Sequence, residues 1–214
     1  MFHQFAHDLK NAFKQPLPGK SAQAALRPYL KLKPSLDAPP LPNPKRGAVM
    51  SLIYPIQSVP HILFIERPIY KGVHSGQIAF PGGKIEQSDA SILAAALRET
   101  HEEVGVLQNE IEVVGPLTSV YVLASNFMVF PFVGILDSAP QFILEKKEVA
   151  NIMEVPLSYF LEPGIIKEKP IKSAIGFTLM APYYDLYGKT LWGATAMMVS
   201  ELNTILHHHQ IKLK

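Results

Sequence analysis

Residues 80–105 constrain this chain more than any other stretch, because they set a turn, a helix and the end of that helix in direct succession. Gly82 and Gly83 let the backbone take positive φ or come close to a ligand. Ile92–Val104 follows with helical periodicity and stops at Gly105, the residue type that suits the position just past a helix C-terminus. Upstream, the apolar runs 48–54 and 61–65, bounded by Pro55 and Pro60, read as strands. Strand, glycine loop and helix in this order predict a mixed α/β domain.

At about 100° per residue, Glu99, Glu102 and Glu103 stand at i, i+3 and i+4 and project from one side of that helix. Leu93, Leu97, Thr100 and Val104 fall on another face, suited to burial against a sheet. Acidic groups in a last turn oppose the helix dipole, which favours cations there. Taken alone, such a triplet describes a solvated face as well as a metal site. The preceding Phe80-Pro81-Gly82-Gly83-Lys84 loop favours the metal site, since it can bring backbone close to whatever the carboxylates bind. The chain has no cysteine, so a metal must be held by oxygen or imidazole, and a carboxylate cluster suits a hard divalent cation such as Mg2+.

These residues resemble the Nudix box, G-x5-E-x7-R-E-U-x-E-E-x-G-U with U a bulky apolar residue. Gly83, Arg98, Glu99, Glu102, Glu103, Gly105 and Val106 match it. Thr100 stands in an apolar position, and one extra residue between Gly83 and Arg98 leaves Asp89 where the first Glu would be, out of phase by one. The longer loop is similar to the coenzyme A branch of the family. Its upstream pattern, approximately L-L-T-x-R-S/A-x3-R-x3-G-x3-F-P-G-G, is met in register by Leu63, Arg67, Gly76, Phe80, Pro81, Gly82 and Gly83, and not by Ile65, Pro68 and Gly72. Residues 18–19, 155–157 and 192–196 also resemble that branch, so the likeness extends over most of the chain.

The resemblance implies a Nudix α/β/α sandwich with a mixed central sheet. It implies hydrolysis of the pyrophosphate bond of coenzyme A or acyl-coenzyme A to 3′,5′-ADP and 4′-phosphopantetheine or its acyl derivative, with Mg2+ or Mn2+ as cofactor. Glu99, Glu102 and Glu103 become the metal ligands, and Arg98 the group that orients them, because a guanidinium cannot act as a base at neutral pH. The general base stays open between Glu102, Glu103 and a later carboxylate from Asp137, Glu145 or Glu148, of which Glu148 is taken. Arg67, Lys71 and His74, with the backbone at Gly82 and Gly83, are the substrate-binding candidates. The alternative substrates are ADP-ribose, a dinucleotide or another nucleoside diphosphate derivative. The alternative role is a Nudix-like nucleotide-binding module without turnover.

Around this centre, Phe2, Phe5, Leu9 and Phe13 predict a short amphipathic helix, and the prolines from Pro34 to Pro44 an extended connector. Residues 1–46 are therefore expected to pack on a Nudix hydrolase domain formed by 47–214. Further strands are expected at 112–115, 117–123 and 128–136, short helical pieces at 147–152 and 156–160, and a last helix at 191–206. Trp192 opens that helix as a core anchor, although an indole there could instead stack on a base. His207, His208 and His209 are adjacent and point in different directions, which argues against a metal site. Lys and Arg total 20 against 18 Asp and Glu, leaving no basic field for nucleic acid. No apolar run reaches the roughly 20 residues that span a bilayer, and the start lacks a basic region followed by an apolar one. The expectation is a cytoplasmic protein acting on a small nucleotide of the coenzyme A type, with no membrane partner and a homodimer left open at Tyr183, Tyr184 and Tyr187.

Overall fold

The computed structural model describes residues 1–30, 40–172 and 176–213. Pro34 and Pro39 of the expected connector lie outside the described residues. The strands are β1 (Lys45–Ile56), β2 (Val59–Glu66), β3 (Ile78–Ala79), β4 (Gly82–Lys84), β5 (Glu112–Pro116), β6 (Val120–Val122), β7 (Phe127–Ile135), β8 (Asn151–Pro156), β9 (Ile166–Lys172), β10 (Thr178–Leu186) and β11 (Lys189–Trp192). The helices are α1 (Phe2–Ala12), α2 (Lys20–Gln23), α3 (Ile92–Val104) and α4 (Gly193–His208).

The central sheet runs β3-β2-β1-β7-β5, with β4 paired to β1, β6 to β7 and β8 to β2. It is mixed, because β1 and β7 pair in parallel from Lys45↔Phe127 to Ile53↔Ile135 while the other pairs are antiparallel. A strand buried on both faces reads as a continuous apolar run, and β1 and β2 obey that rule. Ala48, Met50, Leu52, Tyr54, Leu63 and Ile65 face α3, and the alternating Ile53, Ile62 and Phe64 face the opposite layer. That layer holds α4 and α1, whose Phe2, Phe5, Ala6, Leu9 and Ala12 are buried in the same cluster. The result is the expected α/β/α sandwich. A second, three-stranded sheet, β11-β10-β9, stands beside it and is tied to it by Lys189 and Glu66 at 2.5 Å.

One buried carboxylate fastens the segment after α1 to this layer. Glu201 on α4, fully buried, accepts hydrogen bonds from the backbone of Gly19 (3.2 Å) and Thr118 (3.1 Å), the Thr118 hydroxyl (2.6 Å) and the Gln23 amide (2.8 Å). Four donors satisfy the oxygens of this buried side chain. The segment continues to Tyr29, which exchanges backbone hydrogen bonds with Met180 of β10 at 2.9 and 2.8 Å.

Two expectations need correction. Residues 147–152 are not helical: the chain turns and then enters β8, because Asn151–Pro156 fills the open edge of β2 and long-range pairing outweighs local propensity. The last helix begins at Gly193 rather than at 191, the two residues before it being the end of β11.

Candidate active site

Local chemistry fixes both ends of α3. Ser91 caps the N-terminus, its hydroxyl accepting from the Ala94 N–H at 3.0 Å, and Gly105 closes the C-terminus at φ 78°. Ala95 and Ala96 are small enough to bring the helix close against the sheet, so the buried face is Ala95, Ala96, Thr100, Glu103 and Val104, with Leu93 and Leu97 half-buried. The three carboxylates are thereby separated. Glu103 is 1% exposed, Glu99 12% and Glu102 55%. Thr100 holds its apolar position by donating its hydroxyl to the Ala96 carbonyl at 2.7 Å.

The glycine loop closes on these groups. Gly82 donates its N–H to Glu103 Oε2 at 2.7 Å, and its own Cβ would fall 2.3 Å from the Ala48 carbonyl. A Cβ on Gly83 would lie 2.4 Å from the Glu99 carboxylate. Both positions are glycine because a carboxylate or a strand occupies the space a side chain needs. Arg67, at the end of β2, donates to the Gly82 carbonyl at 3.1 Å and stands 3.9 Å from Glu103 Oε1.

A later loop completes the cluster. Ile143 and Glu145 donate their N–H groups to the carbonyls of Val104 and Glu103, both at 3.0 Å, satisfying orphan acceptors at the end of α3. That docking sets Glu148 beside the helix. Oxygens of Glu99, Glu103 and Glu148 lie within 4.8 Å of one another, which suits a hard divalent cation. Burial pushes the Glu103 carboxyl up to about 7 against the pull of Arg67 and the Gly82 N–H, and the Glu99 carboxyl is raised by burial against the pull of Arg98. Three crowded carboxylates, one of them buried, have the donor chemistry that a divalent cation would take.

Arg98 ties the surrounding acids together. It grips Asp89 through two bonds, Nε to Oδ1 at 2.9 Å and Nη2 to Oδ2 at 3.0 Å, and donates from Nη1 to Glu99 at 3.0 Å and Glu102 at 2.9 Å. These hydrogen bonds hold the Asp89 carboxyl below its usual range and raise the Arg98 guanidinium above its own. The out-of-phase acid of the sequence pattern thus becomes the bidentate partner of the arginine.

Residues 44–169 match the family model of the NUDIX domain. The chain belongs to the Nudix family. A Nudix hydrolase called NudL and described as uncharacterized, from Shigella flexneri, is 32% identical over 172 residues, which are 80% of this chain and 87% of that protein. A NudL of the same description from Citrobacter koseri is 34% identical over the same shares. The Nudix hydrolase RenU of M. smegmatis superposes with a TM-score of 0.54 at 14% identity, over 77% of this chain and 86% of its own. A MutT/nudix family protein of Enterococcus faecalis gives 0.53 at 17%, over 80% and 65%. These two likenesses carry the fold alone. Nudix enzymes hydrolyse pyrophosphate bonds of nucleoside diphosphate derivatives and use divalent metal ions.

In this Nudix domain a cavity of about 1140 Å3 opens from the glycine loop between the sheet, α4 and the segment after α1. Lys20, Arg27, Arg67, Lys84 and Lys172 stand on its walls, and among the described residues no Asp or Glu does. Gly82, Gly83 and His74 also line it, His74 through a ring nitrogen 3.0 Å from Gln77 Oε1. Lys71 is exposed and lies outside this wall. Trp192, expected as a core anchor, is half-buried, belongs to neither apolar cluster and lines the cavity. No helix among the described residues is long and apolar enough to cross a membrane.

Proposed function

We propose that this Nudix hydrolase cleaves the pyrophosphate bond of coenzyme A or an acyl-coenzyme A, with Mg2+ or Mn2+, to give 3′,5′-ADP and 4′-phosphopantetheine or its acyl derivative. Arg67 carries the reading. It is the cation of the upstream pattern shared with the coenzyme A branch, and it stands between Glu103, the Gly82 carbonyl and a large cavity whose charged side chains, among the described residues, are all basic. A polyanionic nucleotide attached to a long uncharged arm fits such a cavity in charge and in size.

Glu99, Glu103 and Glu148 would hold the divalent ions, with Glu102 on the exposed rim where Arg98 keeps it. Such an ion, when bound, offsets the charge of the diphosphate and makes water a stronger nucleophile. Arg67 faces the same phosphates as a fixed cation. Gly82 holds Glu103 in one orientation, and Arg98, itself fixed by Asp89, does so for Glu99. The second carboxylate oxygen of Glu148, exposed and on a loop, would accept the proton of the attacking water. The water oxygen ends on one phosphate, and the bridging oxygen leaves with the other.

The test is a direct assay of coenzyme A and ADP-ribose side by side with Mg2+ or Mn2+. Release of 3′,5′-ADP from coenzyme A is the expected result. Turnover of ADP-ribose with coenzyme A left intact would refute the substrate assignment, and tight nucleotide binding without hydrolysis would refute the enzymatic one.

A further inference from the structure

Strand β4, with Gly82 and Gly83, lines the large cavity and pairs with β1, so that β7 lies beyond β1 on one side and β3 with β2 on the other, and the walls on these two sides differ. On one side β7 and the residues that follow β6 make an apolar arm from Val122, Leu123, Phe127, Met128 and Val129. On the other side, towards β3 and the three-stranded sheet, the walls carry His74, Gln77, Lys172 and Trp192. This second arm continues into a smaller cavity of about 500 Å3, and Val73, Gln77, Ile78, Lys172 and Trp192 line both. A substrate whose diphosphate lies at the glycine loop therefore has a polar, aromatic arm on one hand and an apolar arm on the other.

Trp192 ends β11 paired with Tyr183 and is also the N-cap residue of α4, so its backbone is held from both directions. An indole has only two rotatable bonds, so on a backbone held in this way it gives up little freedom when a flat ligand stacks on it. The two lysines of the smaller cavity differ. Lys189 is neutralised by the Glu66 carboxylate, while Lys172 is exposed and makes no ion pair with a described residue. An aromatic face, an exposed ammonium and amide hydrogen-bonding groups in one arm match a nucleobase and its sugar phosphate.

Building on the substrate reading above, we propose that Trp192 is the platform for the nucleobase of the substrate, that Lys172 faces the phosphate on its ribose, and that the apolar arm takes the pantetheine or acyl portion. Trp192 then determines which nucleotides bind, and the carboxylate cluster determines what is done to them.

The chain contains a single tryptophan, so its emission reports on this arm alone. The full-length protein is titrated with 3′,5′-ADP and, separately, with 4′-phosphopantetheine. Saturable quenching by 3′,5′-ADP and none by 4′-phosphopantetheine at equal concentration is the expected result. Quenching by 4′-phosphopantetheine alone, by both alike or by neither overturns the assignment. In turnover, Trp192→Leu is expected to raise KM roughly tenfold with kcat preserved, and Trp192→Phe to retain most of the affinity. A KM unchanged in the folded Leu variant speaks equally against the platform. The two readings fail separately: coenzyme A left intact while 5′-ADP quenches the emission removes the substrate reading and keeps the platform, and hydrolysis of coenzyme A without quenching by 3′,5′-ADP does the reverse.

Discussion

The backbone N–H of Gly82 and the carboxylate of Glu103 meet at 2.7 Å, joining the glycine loop to α3 at a buried anion. This contact couples the charge state of Glu103 to the fold. The carboxyl is pushed up to about 7 from an ordinary 4.5, so its contribution to stability is present below pH 4.5 and is lost as pH rises through 7. In the presence of a chelator, Glu103→Gln is therefore expected to raise Tm at pH 8, by about 5 °C for a few kcal/mol, and to change it little at pH 5. The same variant should lose kcat by orders of magnitude. A lower Tm at pH 8 than wild type would contradict a burial cost that Arg67 and the Gly82 N–H only partly offset.

Gly83→Ala places a methyl group on the Glu99 carboxylate. The expected outcome is a folded protein with a displaced Glu99, weakened metal affinity and kcat lowered at least tenfold, about 1.4 kcal/mol. Calorimetric titration with Mn2+ checks the first part independently of turnover. Unchanged Mn2+ affinity would show that Glu99 is not a ligand.

Asp89→Asn should leave Arg98 with one weaker bond in place of a bidentate pair. We expect kcat to fall about tenfold with KM little altered, since Arg98 positions Glu99 without touching substrate. An equal change in KM would place Asp89 in substrate binding instead.

Glu148→Gln is expected to leave Tm unchanged, because the side chain is exposed, while reducing kcat by two orders of magnitude or more. Chemical rescue by added formate or azide would separate a proton-accepting role from a metal-holding one. Wild-type turnover would exclude both.

Glu201→Ala strips the shared acceptor from Gly19, Gln23 and Thr118 in a dry interior. The expected loss is about 3 kcal/mol, seen as a lower urea midpoint. The surviving folded fraction should show a raised KM, since Lys20, Gln23 and Arg27 belong to the cavity wall that this carboxylate holds in place.

The parts legible in the sequence were those written in short-range chemistry. Gly105 marked the end of α3, and the doubly buried β1 and β2 announced themselves as largely apolar runs. What escaped depended on approach between distant segments. A helical wheel puts Glu99, Glu102 and Glu103 on one side, but only the closeness permitted by Ala95 and Ala96 determines that Glu103 is buried and Glu102 is not. Glu148 was chosen as a base, but its place beside Glu99 and Glu103 had no local mark, since it is carried to the cluster by hydrogen bonds from Ile143 and Glu145 to the end of α3. Residues 147–152 looked helical for the same reason: nothing nearby records that the edge of β2 is waiting for a strand. Trp192 was assigned to the core because an indole at a helix start is usually buried, whereas here the three-stranded sheet leaves a cleft beside it.

The parallel pairing of β1 with β7 also bears on how the molecule reaches this state. Residues 45–53 must find residues 127–135, and every part of the glycine loop and of α3 lies in the chain between them. Closing so long a loop comes before any reward from the pairing, which makes it a slow step in folding. The helix can form early from its own caps, yet the sheet it packs on is incomplete until the β1–β7 pair has closed. Refolding from denaturant should therefore be no faster with Mg2+ present than without, and the ion should act by slowing the unfolding arm alone.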